Sequence, residues 1–125
     1  MAVLADITEE FDEHRFSALL DLAGPVTARE LATRLDEDLT LVADALSKAE
    51  LPADRPLLRA QSHVLLAIAG TVGANRLYHL SERLNGLARA SEGGPMAELL
   101  SEIRALLDRL IARVRSARAQ LAAEP

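Results

Sequence analysis

Hydrophobic residues recur at intervals of three and four over most of the chain, which is the spacing of one face of an α-helix. The recurrence is clearest over residues 31–49 and 96–121, where leucine, isoleucine and valine set the pattern. No stretch of similar length alternates strictly between apolar and polar residues, as a half-buried β-strand does. The pattern therefore predicts an all-α protein.

Glycine and proline divide this pattern into five segments, because both residues interrupt helices. The breakers are Gly24-Pro25, Pro52, Gly73 and Gly93-Gly94-Pro95. A short helix is predicted over residues 8–22, and four longer helices follow it. Long helices joined by short turns alternate in direction, so we expect an up-down-up-down four-helix bundle. Residues 1–125 are expected to form one domain, in which the extra N-terminal helix, within residues 1–24, caps one end of the bundle.

Two of the longer helices carry recognisable start signals. Thr27 and Glu30 have the spacing of a capping box, in which each side chain bonds to the other residue's backbone N–H. Asp54 is suited to cap the following helix, with Pro56 in the first turn, where a missing N–H costs little. We expect that helix to run to about residue 71.

Composition excludes several classes of function. The chain has no cysteine, so disulfides and thiolate chemistry are ruled out. No apolar run approaches the roughly 20 residues that span a bilayer, and the first residues lack the basic flank of a signal peptide. We therefore expect a cytoplasmic protein that does not bind membranes. The net charge is −5, and the arginines at residues 104–118 are accompanied by Glu102 and Asp108. A solvated helix face is thus expected there rather than a nucleic-acid site.

The histidines do not suggest a metal site. His14, His63 and His79 lie on three different predicted helices, and none belongs to a His-x-x-x-His or Glu-x-x-His pair. The chain also lacks a glycine-rich phosphate-binding loop. We therefore expect no bound metal, nucleotide or other cofactor.

His63 stands out when its helix is projected at about 100° per residue. The predicted buried stripe consists of Leu57, Gln61, Val64, Leu65 and Ile68. His63 falls about 150° from the centre of this stripe. We therefore expect its side chain to be exposed, near the middle of the helix.

The neighbours of His63 on that face are mostly small. They are Arg59, Ala60, Leu66, Ala67 and Gly70. Exposed helix faces more often carry long charged residues, and a glycine inside a helix costs about 1 kcal/mol relative to alanine. A histidine surrounded by small side chains is suited to close approach by another protein. The alternative is that His63 is only a solvated polar residue, as lone exposed histidines often are. The other two histidines have no such surroundings and are interpreted as solvated.

The stretch from His63 to Leu77 resembles the phosphoacceptor helix of the histidine-containing phosphotransfer domains of bacterial multistep phosphorelays. Gly73-Ala74 matches a Gly-Ala pair of that family, and Leu77 matches the apolar residue that follows it. Two positions depart from the family pattern, since Leu66 stands where the family has lysine and Ala67 where it has glycine. The similarity covers roughly residues 16–118.

This resemblance implies a phosphocarrier rather than an enzyme. His63 would receive a phosphoryl group from an aspartate of a receiver domain and pass it to another receiver. The implied partners are receiver domains of response regulators or a hybrid histidine kinase, and the receiver brings the Mg²⁺ that the transfer needs. Arg59 is the first candidate to offset the phosphate charge. Asn85 and Arg89 match positions that are polar and basic in the family.

Two alternative interpretations stay open. Leu66 and Ala67 are also compatible with a degenerate adaptor that binds a kinase or receiver without being phosphorylated. A purely structural or dimerising helical bundle is the other alternative. The sequence does not fix the oligomeric state, and the phosphocarrier is expected to act as a monomer.

Overall fold

The computed structural model describes residues 10–49, 54–89 and 96–123, apart from the side chain of Arg89, and these ranges contain five α-helices and no strand. The helices are α1 (Glu13–Ala23), α2 (Pro25–Ser47), α3 (Arg55–Val72), α4 (Asn75–Arg89) and α5 (Met96–Ala123). The predicted all-α class is confirmed for this part of the chain. None of the five helices has both the length and the apolar character needed to cross a bilayer.

Two of the predicted breakers separate helices as expected. Gly24 lies between α1 and α2, and Gly73 ends α3, each with a φ of 82°. Only glycine adopts this left-handed region without a steric penalty, which explains why the helices end there. Pro52 and Gly93-Gly94-Pro95 lie outside the described residues.

The predicted capping box is wrong. Helix α2 begins at Pro25, two residues before Thr27, and its N-cap residue Gly24 provides no side-chain hydrogen bond. Proline favours the first helical position because its fixed φ already suits the helix and its missing N–H costs little there. Thr27 is consequently a residue of the first turn rather than the cap.

The other helix starts differ in how they are capped. Asp54 occupies the predicted N-cap position of α3 and Pro56 lies in the first turn, but the Asp54 side chain does not make the capping hydrogen bond. Helix α1 has a cap that was not predicted, since the Asp12 carboxylate accepts a hydrogen bond from the backbone N–H of Arg15 at 3.0 Å. The helix therefore begins at Glu13, later than predicted, and Phe11 precedes it.

The helices pack around one continuous hydrophobic core of leucine, isoleucine, valine and alanine, to which α1 adds Phe16. Helix α5 buries a stripe that runs from its first residue to Ala117 and is made of Met96, Leu99, Leu100, Ile103, Leu106, Leu107, Leu110, Ile111, Val114 and Ala117. The most extensive helix contacts are those of α3 with α4 and of α2 with α5. These two pairs therefore form the main body of the protein.

Helix α1 is attached at its beginning to the turn between α3 and α4. The backbone N–H of Asp12 donates to the carbonyl of Gly73 at 2.8 Å, and that of Arg76 donates to the carbonyl of Glu10 at 3.3 Å. Glu10 also accepts two hydrogen bonds of 2.8 Å from Arg109 of α5. The beginning of α1 is thus held by backbone bonds on one side and by an ion pair on the other.

The arginines of α5 form ion pairs and hydrogen bonds within the protein, while Arg109, Arg115 and Arg118 stay about half exposed, as expected for a solvated face. Arg109 pairs with Glu10, Arg113 pairs with Glu13, and Arg104 donates to the carbonyl of Leu46. Arg113 also lies over the ring of Phe16, with its guanidinium carbon 5.0 Å from the ring centre. The run of basic residues therefore attaches α1 and α2 to α5.

Asp36 of α2 is the most buried acid in this set of contacts. Its carboxylate accepts hydrogen bonds from Arg115 and Arg118 at 3.0 Å each and from the Thr40 hydroxyl at 3.2 Å. Burial raises the pKa of Asp36, but the hydrogen bonds from Arg115, Thr40 and Arg118, with the charge of Arg115, outweigh it, so that the pKa is lowered overall. The charged carboxylate is therefore the form that the fold stabilises.

Replacing Asp36 by asparagine should lower the free energy of unfolding by about 1–3 kcal/mol near neutral pH, which is the usual contribution of hydrogen bonds to a charged group. Because the pKa of Asp36 is lower in the folded state, this contribution is present above the ordinary aspartate pKa of about 3.9 and is lost as the pH falls through the lowered value. Urea unfolding between about pH 3 and pH 7 should therefore show a difference that shrinks at the acidic end.

The matched control is Asp38→Asn, because Asp38 forms an ion pair with Arg34 on the exposed side of the same helix. Exposed pairs contribute little, so this change should cost less than about 1 kcal/mol. An effect of equal size for the two substitutions would contradict the role given to the buried carboxylate.

Candidate functional site

His63 lies in the middle of α3 and is exposed. The buried side of this helix is formed by Leu58, Ser62, Leu65, Ala69 and Val72. At about 100° per residue, His63 projects about 140° away from the centre of these residues. Among the described residues, none forms a hydrogen bond or an ion pair with its ring. The imidazole is thus accessible from solvent.

The predicted buried stripe of α3 is wrong in its centre, by about 70°. Val64 is 41% exposed, and Leu57, Gln61 and Ile68 are only half-buried. The projection followed the large apolar residues, whereas the face that contacts the rest of the protein includes the small residues Ser62 and Ala69. At Ser62 a small residue suits the contact of α3 with α4, where its hydroxyl lies 3.4 Å from the side-chain oxygen of Asn85.

The face around His63 presents small and apolar side chains. Ala60 and Ala67, on either side of His63 along the helix, are both exposed, as is Val64. None of these side chains reaches far from the helix surface. A partner surface can therefore come close to the imidazole.

Arg59 is the charged residue nearest to His63 along α3, one helical turn before it. Its side chain is exposed, and no acidic residue of the described ranges forms an ion pair with it. The guanidinium group is consequently available to an anion, for which its planar set of donors is well suited.

Leu66 and Gly70 are less exposed than expected from their place on the His63 face, since both are half-buried. A Cβ atom added at Gly70 would lie 3.5 Å from the ring of Tyr78 in α4. Gly70 therefore belongs to the contact between α3 and α4 rather than to an open platform. The accessible part of the site is formed by Arg59, Ala60, His63, Val64 and Ala67.

Helix α4 contributes Asn85 beneath this face. The hydroxyl of Ser62, which is fully buried, lies 2.9 Å from the carbonyl oxygen of Arg59 and 3.4 Å from the side-chain oxygen of Asn85. Asn85 is therefore packed against the residue that precedes His63. Ser62 was not predicted as a site residue, although a serine within an otherwise apolar stripe is a signal for a buried hydrogen bond.

Two further predictions concern α4 and metal ions. Arg89 is the last residue of α4, and its side chain lies outside the described part of the chain.

Over residues 10–49, 54–89 and 96–123, no group of three or more histidine, cysteine or acidic residues is placed to hold a metal ion. The site that the structure brings together is thus an exposed imidazole with a guanidinium one turn away.

Comparison of the chain with models of protein families, with curated proteins and with solved structures finds no significant match. The interpretation of the site therefore depends on the chemistry and the geometry of these residues.

Two glycines near this site should respond oppositely to alanine. At Gly70 an added methyl group would meet Tyr78 at an ordinary contact distance, so Gly70→Ala should raise the free energy of unfolding by about 0.5–1 kcal/mol. At Gly73, φ is +82° and an added Cβ would lie 3.1 Å from Cβ of Asp12. Gly73→Ala should therefore lower the free energy of unfolding by about 1–2 kcal/mol.

Chemical denaturation of the two variants and the native protein measures both effects. Destabilisation by Gly70→Ala would show that α3 and α4 lie closer together than described here. An unchanged stability of Gly73→Ala would contradict the tight contact between this turn and the beginning of α1.

Proposed function

We propose that the chain is a histidine phosphotransfer protein in which His63 carries a phosphoryl group between aspartates of receiver domains. The observation that supports this most is the exposure of His63 in the middle of α3, flanked by the exposed alanines Ala60 and Ala67. A receiver domain is much larger than a small substrate, and it must bring a recessed aspartate to the imidazole. A face of small side chains permits that approach.

The proposed step needs only a nucleophile and a partner that brings the phosphate. An unprotonated ring nitrogen of His63 attacks the phosphorus of an aspartyl phosphate, and a nitrogen–phosphorus bond forms. The bond from phosphorus to the carboxylate oxygen breaks with its electron pair, which regenerates the aspartate. The proton on the other ring nitrogen passes to water, to which the exposed ring is accessible. Transfer to a second receiver reverses these steps.

Arg59 is proposed to support the transferred phosphate. It lies one turn from His63, is exposed, and is not paired with any acidic residue that the structure describes. Since phosphoryl transfer depends mainly on positioning and charge neutralisation, a nearby guanidinium lowers the cost of the transferred charge. The Mg²⁺ needed for the transfer belongs to the receiver in this proposal.

The up-down-up-down arrangement of α2, α3, α4 and α5 is part of the same proposal. Cross-helix contacts support antiparallel neighbours, because later residues of one helix meet earlier residues of the next. In the α3–α4 pair, Ser62 meets Asn85 while Gly70 meets Tyr78. In the α2–α5 pair, Asp36 meets Arg115 and the carbonyl of Leu46 meets Arg104.

A degenerate adaptor remains the second candidate because of Leu66. This residue is a half-buried leucine at the position where the similar family has lysine. An adaptor would use the same exposed face to bind a kinase or receiver but would not accept phosphate. The two functions differ only in whether the phosphoryl group moves to the chain after binding.

Incubation of the protein with each phosphorylated receiver domain of its organism should transfer label to the chain, and His63→Gln should abolish the transfer. The matched control is His79→Gln, because His79 is also exposed but is paired with Glu82 on α4. The label should survive alkali and be lost in acid, as a phosphoramidate does. Label that persists in His63→Gln would refute the assignment, and receiver binding without any transfer would select the adaptor.

Ala67→Arg should block docking of a receiver, because a long charged side chain would stand one turn beyond His63 on the exposed face. The free energy of unfolding should change by no more than about 0.5 kcal/mol, as expected for an exposed position. Ala112→Arg is the control, since it makes the same change at an exposed alanine of α5. Binding by calorimetry and transfer of label measure the effect. Normal transfer by Ala67→Arg would show that the partner does not approach over this face.

A further inference from the structure

A cavity of about 160 Å³, partly open to solvent, lies between the beginning of α1 and the helices α4 and α5. Its apolar lining consists of Phe11, Ala74, Leu77, Leu106 and Leu110, and its polar lining consists of Glu10, Arg109 and Arg113. None of these residues belongs to α3. The cavity is therefore separate from the exposed face around His63.

Part of the cavity wall belongs to the buried core. Leu77 is 2% exposed and Leu110 is 4% exposed, so both are fixed by packing on their other sides. On the side of α1, the N–H of Asp12 is bonded to the carbonyl of Gly73 and the carbonyl of Glu10 accepts from Arg76. These bonds restrain the beginning of α1, so the wall that carries Phe11 cannot simply move inward and fill the space.

The charges at the rim of the cavity are already neutralised. Arg109 makes two hydrogen bonds of 2.8 Å to Glu10, and Arg113 is paired with Glu13. Each guanidinium group keeps further N–H donors, but an anionic ligand there would bring a second negative charge next to Glu10 or Glu13. A cationic ligand would have to compete with the arginines for the same carboxylates. The lining is thus suited to an uncharged molecule.

We propose that this cavity is a binding site for a small uncharged apolar molecule, about the size of one aromatic ring. An enclosed apolar cavity of about 150 Å³ takes up benzene, and the apolar part of this more open cavity offers leucine and phenylalanine contacts of the same kind. Sites for nucleotides and other large ligands are about 300–1,000 Å³, so the cavity is too small for them. Both its volume and its lining favour a compact apolar ligand.

Benzene is the probe for the first test, with benzoate as the charged probe of similar shape. Titration of the full chain with benzene should shift the methyl resonances of Leu77, Leu106 and Leu110, and the shifts should saturate with an affinity in about the millimolar range. Methyl resonances of Leu35 and Leu46, which do not line the cavity, should be nearly unchanged. Benzoate should bind about tenfold more weakly, because its carboxylate would lose water without gaining a free cation.

A cavity-filling variant provides the second test. Leu106→Phe places a larger side chain in the lining and should weaken benzene binding by at least about fivefold. Leu99→Phe is the matched control, since Leu99 lies two turns earlier on α5, is equally buried and does not line the cavity. Circular dichroism establishes that each variant is folded. If Leu106→Phe does not fold, Leu110→Phe replaces it with the same expectation.

Three results would overturn the proposal. The first is the absence of saturable shifts with benzene, or shifts spread over the whole core. The second is benzoate binding as tightly as benzene. The third is benzene binding by Leu106→Phe that is as tight as binding by the native chain.

Discussion

The packing of α3 against α4 determines which side of α3 is exposed to solvent. Small residues at the contact, Ser62 and Gly70, let the two helices come close together. Ser62 faces α4 and meets Asn85 at one edge of the buried side of α3. His63 lies about 100° further round the helix, away from Leu58, Leu65 and Val72, and is therefore exposed. Any change that rotates α3 on α4 would move the imidazole as well.

Ion pairs and hydrogen bonds of arginine side chains connect α5 to α2 and to the beginning of α1. Five arginines of α5 are directed to carboxylates or carbonyls of α2 and of the segment around the beginning of α1. Exposed ion pairs each add little to stability, but Asp36 is buried and takes hydrogen bonds from two arginines at once. The arginine-rich surface of α5 is thus used within the protein, while Arg59 on α3 lacks an acidic partner among the described residues. Because the α5 arginines already have partners in the protein, Arg59 is the better candidate for contact with a phosphate.

Periodicity and breakers were sufficient to predict the helical class and the ends of the helices at Gly24 and Gly73, because glycine leaves little choice of backbone conformation there. They were not sufficient for the details that depend on neighbouring helices. The capping box at Thr27 failed because Pro25 already starts the helix. The centre of the α3 stripe was wrong because hydrophobicity alone gives no weight to small residues at a close helix contact. His63 nevertheless points away from the core in both cases. It lies about 150° from the predicted centre of the buried stripe and about 140° from the observed centre.

The proposal that a receiver domain docks over α3 can be examined at the level of single residues. The most direct measurement is a titration of the isotopically labelled chain with the receiver that binds it, followed through the backbone amide resonances. We expect the largest changes at Ala60, His63, Val64 and Ala67, on the exposed face of α3. Changes concentrated on α5 or at the α1–α2 junction, with α3 unaffected, would contradict this account.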